Sequence, residues 1–269
     1  MEKKVKFDET KRGKGGAFAS IDLGKFIAQA LAEKDKVMIA DFIFERGELG
    51  AKKVLNLSGA GLTQLDRDFL QFTALTTLCL DGNNFEHFPR LVCEFAGLER
   101  LSLRACDLLI SSRNFAPLNR LKSLEYLDLS ENLFSKFPKA LFACKRLKTL
   151  GLQRCELNFL PEDIARLKQL AILELYCNPD LKALPAALFE LKELEMLDLS
   201  YCGLKTLPQD FEKLQKLQSL ALQGNDFTAF PSVILRLKKL EKLSIDSDLI
   251  TPQIQKKLRK NGTFVVAQI

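Results

Sequence analysis

The sequence predicts an α/β solenoid: a stack of similar layers with short parallel strands along one side and turns or short helical segments along the other. Three observations carry this. Between Val54 and Leu249 a Leu-x-Leu core recurs nine times, as Leu-x-Ile in the last copy, anchored at Leu55, Leu78, Leu101, Leu127, Leu150, Leu173, Leu197, Leu220 and Leu243. The intervals between anchors are 23, 23, 26, 23, 23, 24, 23 and 23 residues, and self-similarity at that length marks stacked repeats. Within a copy, alternating leucines give a short strand with one inward face, and later apolar residues such as Ile164 and Leu167 turn a helical or 3-10 segment inward on the opposite side.

A well-formed copy reads Leu147-Lys-Thr-Leu150-Gly-Leu152-Gln-Arg-Cys155-Glu-Leu157-Asn-Phe-Leu160-Pro161-Glu-Asp-Ile164-Ala-Arg-Leu167-Lys-Gln. It resembles the leucine-rich repeat in its form of about 23 residues with a Leu-Pro step after the strand. The resemblance covers roughly residues 52 to 250 and implies a curved right-handed horseshoe arc with a parallel sheet on its concave side and short helical or 3-10 segments on its convex side. One copy cannot bury its own apolar face, so the layers must bury one another's.

Five positions after each anchor stand Ala60, Asn83, Cys106, Asn132, Cys155, Asn178, Cys202, Asn225 and Asp248. The resemblance implies Asn or Cys here, with a buried Asn amide satisfying backbone groups of adjacent turns. Pro89, Pro138, Pro161, Pro185, Pro208 and Pro231 share one equivalent site, where a fixed φ and a missing amide hydrogen end the strand direction. Repeat one has Asp66 instead, and repeat three has no matching proline. Phenylalanine pairs follow Asn83, Asn132 and Asn225, whereas leucine pairs follow Cys155 and Cys202, so large and small layers are expected to interdigitate. Repeat six, with Asn178 followed by Leu181 and Leu184, breaks this alternation beside a one-residue insertion near Pro179.

The chain divides into residues 1–50, a basic arm and helical N-terminal cap; 51–250, the nine repeats; and 251–269, a closing helix and strand. Ser20 can cap a helix from Ile21 to Leu31, and Val37 to Phe44 suits a second. Thr251-Pro252 reads as an N-cap and first helical position, Asn261-Gly262 as the stop, and Thr263 to Gln268 as a strand. Val266, 23 residues after Leu243, is expected to anchor a tenth layer. The Lys11-Arg12-Gly13-Lys14-Gly15-Gly16 run lacks P-loop spacing and reads as a flexible basic arm.

With 47% hydrophobic residues and no apolar run of about 18 residues, the chain is expected to fold around a core without stable membrane insertion. The first eight residues lack the apolar segment of a secretory signal peptide. A reducing cytoplasm is therefore expected: of the seven cysteines, Cys106, Cys155 and Cys202 each stand five residues after an anchor, as layers of one ladder rather than facing pairs, so a disulfide framework is not expected. Single His87, without partnered ligands at a known spacing, reads as a surface residue. No nucleophile elbow, kinase set or metal-binding pair stands in the sequence. The expectation is no enzyme, no cofactor and no metal.

Function then depends on side chains flanking the strand leucines, which for Leu173 are Ile172, Glu174, Tyr176 and Cys177. The three tyrosines, Tyr126, Tyr176 and Tyr201, all occupy such outward offsets, and with Ile172 and Met196 they cluster on repeats four to seven. Amphipathic tyrosines anchor protein interfaces. At the same offsets Asp81, Asp128, Glu131, Glu174, Asp198 and Asp246 stand against Arg100, Arg104, Arg154 and Lys242. The net charge of +6 accumulates instead on outer segments such as Arg166-Leu-Lys168 and on the closing helix. A nucleic-acid partner would need basic excess on the binding face, so a protein partner with a basic or mixed surface is expected. The predicted concave contacts are Tyr126, Tyr176, Tyr201, Met196, Ile172, Asp128, Glu131, Glu174, Asp198, Arg104 and Arg154, with the insertion around Ile110 to Asn114 a secondary candidate. A monomer is expected. Chains of this kind resemble repeat proteins that intracellular bacteria deliver into host cells, reached without a cleaved signal peptide, and intracellular adaptors that regulate or scaffold a phosphatase, GTPase or ubiquitin ligase; the first resemblance is preferred.

Overall fold

A computed structural model describes residues 53–268 apart from 112 and 114. The expected N-terminal arm and cap helices lie outside the described residues. Each anchor leucine sits at the centre of a strand: β1 Val54–Asn56, β2 Thr77–Cys79, β3 Arg100–Ser102, then β5 Tyr126–Asp128, β7 Thr149–Gly151, β8 Ile172–Glu174, β9 Met196–Asp198, β10 Ser219–Ala221 and β11 Lys242–Asp246. With β12, Phe264–Gln268, they form a ten-stranded parallel sheet in which consecutive anchors face one another, as Leu150 does Leu173 and Leu173 does Leu197. The anchors and the second leucines of the motif are buried, because each layer's inner face is completed by its neighbours.

On the opposite side each layer makes a one-turn 3-10 segment, such as Glu162–Arg166 or Gln209–Lys213. The proline ladder supplies the residue before it. Pro161, Pro185 and Pro208 hold φ between −75° and −68°, and their carbonyls accept the amides of Ile164, Leu188 and Phe211. Those three donors, Ile164, Leu188 and Phe211, turn inward as core residues. Asp66 takes the same place in repeat one, and Phe115 does so in repeat three.

The Asn ladder is built as the repeat implies. Asn178, fully buried, accepts at Oδ1 from the amides of Cys155 and Leu157 (3.0 Å each) and donates from Nδ2 to the carbonyls of Leu152 (2.9 Å) and Leu175 (2.7 Å). Asn132 and Asn225 repeat the pattern over Cys106 and Cys202. The stacking unit is therefore a pair of layers, with each Asn clamping the Ala or Cys layer before it. The backbone follows the same alternation. Gly61, Asp107, Glu156 and Gly203, each just after Ala60, Cys106, Cys155 or Cys202, are left-handed. After Asn83, Asn132 and Asn225 the equivalent amide instead donates to the preceding layer, as Leu133 does to Leu108 (3.0 Å). Repeat six breaks the rule because that residue is Pro179, which has no amide hydrogen to give; the chain takes one extra residue and Leu181 enters the core.

The 26-residue repeat also has a structural consequence. Its extra residues let β4, Leu109–Ile110, pair in parallel with β6, Leu133–Phe134, as a separate two-stranded sheet on the flank. The closing segment follows expectation with one correction. Thr251 caps α1, Pro252–Lys260, by accepting the Ile254 amide at Oγ1, and Gly262 leaves it with φ +80°. The anchor of the tenth layer is Val265, not Val266: Leu243 lies in register with Val265, which packs on the core. The convex segment of that last layer is α1 in place of the usual 3-10 turn.

Candidate protein-binding face

Four adjacent strands, β5, β7, β8 and β9, carry the predicted contacts in rows across the sheet. Immediately before the anchors the register aligns Tyr126, Thr149, Ile172 and Met196; immediately after them it aligns Asp128, Gly151, Glu174 and Asp198. Beyond lie Tyr176 and, at the rim, Glu131, Arg154 and Tyr201. The structure thus gathers Tyr126, Ile172, Met196, Asp128, Glu174 and Asp198 on one patch, with Arg104 a layer away on the N-terminal side.

The aromatic and cationic groups engage one another. Arg100 lies over the Tyr126 ring, 4.1 Å from its centroid. Arg154 stands 5.6 Å from the Tyr176 centroid, and Tyr176 meets Tyr201 edge to face, with centroids 5.6 Å apart at 79°. Arg104 pairs with Glu131 at 2.6 Å. Tyr201 remains 44% exposed although its ring lies against Gly224, where a Cβ would collide with it. Burial pushes the Tyr126 hydroxyl up to about 12, helped by the charges of Asp128 and Glu174, so it stays a neutral hydrogen-bonding group.

Asp128 is less available than expected, at 9% exposure. Its carboxylate accepts the Ser130 amide (2.9 Å) and occupies the space that a side chain at Gly151 would need. Asp198 makes the same local turn with Ser200, accepting its amide and hydroxyl (2.9 and 2.7 Å). Ser130 and Ser200 are fully buried, so their offset does not face outward in every repeat: a short hydroxyl there folds back onto the turn, whereas Tyr176 at the same offset reaches out. Burial raises the Glu174 carboxyl above the usual carboxylate range, with Asp128 and Asp198 adding to the rise and a hydrogen bond from Gln153 opposing it.

The sequence carries a further signal along the rim. Four residues after the anchor the chain turns left-handed in eight successive layers: Gly59, Gly82, Ala105, Glu131, Arg154, Cys177, Tyr201 and Gly224, with φ between 51° and 67°. Glycine is at ease there, and other residues are strained by about 1–2 kcal/mol each. The outer layers use glycine; layers three to seven do not, and they place Glu131, Arg154 and Tyr201 along the rim. A strained rim side chain where glycine would fold more easily points to a role outside folding.

Other features offer less. His87 is exposed in a turn, lining a shallow depression of about 550 Å³. Among the described residues no group of three or more His, Cys, Asp or Glu side chains could hold a metal ion, and no helix is long and apolar enough to cross a membrane. Burial pushes the thiols of Cys93, Cys155 and Cys202 up to about 12.

Two leucine-rich-repeat family models match the chain, at residues 168–227 and 123–144. Among solved structures it is similar to a leucine-rich-repeat protein of Leptospira interrogans, with 29% identity and TM-score 0.62 over 80% of this chain and 60% of that one. An internalin, InlF, of Listeria monocytogenes shows 20% identity and TM-score 0.67 over 87% of this chain and 65% of that one. The leucine-rich-repeat domain of the type III effector XopL shows 22% identity and TM-score 0.59 over 88% and 92%. The chain spans less than two thirds of the first two. No curated protein matches it. The matched segments, the clamped Asn layers and the unbroken register of anchor leucines agree: residues 123–144 and 168–227 are leucine-rich repeats, and the fold of the described residues is a leucine-rich-repeat solenoid.

Proposed function

We propose that the chain is a non-enzymatic binding module that holds a protein partner on its concave face in layers four to seven, with Tyr126, Tyr176 and Tyr201 as anchors. The leucine-rich repeat is generally a protein–protein interaction module. The observation that carries the placement is the run of strained, non-glycine rim residues in layers three to seven, beside the clustered tyrosines. A partner with a basic or mixed surface fits the carboxylates of this face, and we read the chain as a monomer that a bacterium delivers into a host cytoplasm. The likeness to the repeat domain of a type III effector supports delivery by analogy of fold. Replacing the three tyrosines by alanine should weaken partner binding by several kcal/mol, as loss of anchors does, with an unchanged unfolding midpoint. Affinity capture with the native and triple-variant chains, followed by titration of the captured partner, checks it; equal affinity overturns the placement. A translocation reporter fused to the chain in a bacterial host tests delivery, and absence of transfer counts against it.

A further inference from the structure

The three carboxylates that follow the anchors, Asp128, Glu174 and Asp198, form no ion pair among the described residues, whereas Arg100, Arg104 and Arg154 of the same face are each engaged with an aromatic ring or with Glu131. The face therefore presents Glu174 and Asp198, with the less exposed Asp128 further along the same row, as carboxylates outside any ion pair, beside the apolar row of Tyr126, Ile172 and Met196, two residues further back along the strands, or about 6.6 Å. We infer that this pair of rows receives an amphipathic basic helix of the partner, lying across the strands, with arginine or lysine side chains over the carboxylates and apolar side chains over Tyr126, Ile172 and Met196. The inference rests on the concave face being the binding face.

Spacing favours a helix. Adjacent strands lie about 4.8 Å apart, so measured from Asp198 the backbone positions fall at about 4.8 Å for Glu174 and about 14.4 Å for Asp128, with bare Gly151 between. A helix rising about 1.5 Å per residue meets all three with side chains at i, i+3 and i+10, which share one face within about 80°. Same-side positions of an extended segment recur at about 6.8 Å; they meet Asp198 and Asp128 but miss Glu174 by about 2 Å. The Glu174 carboxyl is raised chiefly by burial, with Asp128 and Asp198 adding to the rise and Gln153 and Arg104 opposing it.

The probe is a fluorescein-labelled 16-residue alanine-based helix with arginine at i, i+3 and i+10 and leucine at i+1, i+4 and i+8, titrated against the full chain at about 50 mM salt. Binding should fall about tenfold or more when Asp128→Asn, Glu174→Gln and Asp198→Asn are combined, and similarly when the arginines are moved to the opposite face of the peptide. Each replacement keeps an oxygen acceptor, so the Ser130 and Ser200 turns persist, and circular dichroism verifies the fold. Equal binding by the rearranged peptide, equal binding to the neutralised variant, or no binding up to about 1 mM overturns the inference. If capture of the natural partner still depends on the tyrosines, the concave reading survives that failure; if capture is indifferent to them as well, both fall.

Discussion

At the residue scale, the buried asparagines hold the layers in phase. Asn178 satisfies two amides of the layer before it and one carbonyl in each of two layers. Asn178→Ala leaves these four buried groups without their partner, and chemical denaturation should show a loss of at least about 3 kcal/mol. Cys155→Ala, which gives up weak thiol contacts to the Leu129 and Gln153 carbonyls and some packing, should lose about 1 kcal/mol. Glu174 works in the other direction. Because its carboxyl is raised in the folded chain, ionising it opposes folding at neutral pH. Glu174→Gln should stabilise the chain modestly, within about 0.5 kcal/mol. The gain is full above the raised folded value and disappears as pH falls below the ordinary carboxylate range, about 4.3; urea unfolding at pH 7 and pH 3.5 checks both sign and window.

At the element scale, each strand is only three residues long in most layers, too short to persist alone, and the 3-10 segments are single turns. Their order comes from neighbours on both sides, and from termini defined by proline or by a hydrogen-bonded cap. The exception is α1, which begins on its own signal: Thr251→Ala removes the cap to the Ile254 amide and should cost about 1 kcal/mol, read as a lowered unfolding midpoint. The flank sheet of β4 and β6 shows how an insertion becomes structure. Three extra residues were visible as a longer interval, but their pairing with Leu133–Phe134 was not, because it depends on where the next layer's turn passes. Leu109 and Leu133 are left half exposed as a result.

At the scale of the whole molecule, stability is a sum over layers and their interfaces. Layers flanked on both sides should open least often, so amide exchange should be slowest in β5, β7, β8 and β9 and faster in β12, whose outer edge has no described neighbour. Uniform exchange across the sheet would contradict the additive picture. The same rigidity serves binding: the rows of the concave face are held in fixed register by the sheet, so the proposed contact surface is formed before a partner arrives.

The sequence by itself determined the solenoid, its nine anchors, the proline and asparagine ladders and the cap of α1, because each depends on a local residue choice repeated at a fixed interval. It also placed the tyrosines on outward offsets. Tertiary structure alone decided what lies across from what: that Asp128 sinks over Gly151 while Glu174 and Asp198 stay accessible, that the arginines are already engaged, that Val265 rather than Val266 closes the stack, and that Ser130 and Ser200 turn inward. These outcomes depend on the size and charge of side chains one layer away, about 23 residues distant in the chain, where periodicity specifies a neighbour's position but not the space it leaves.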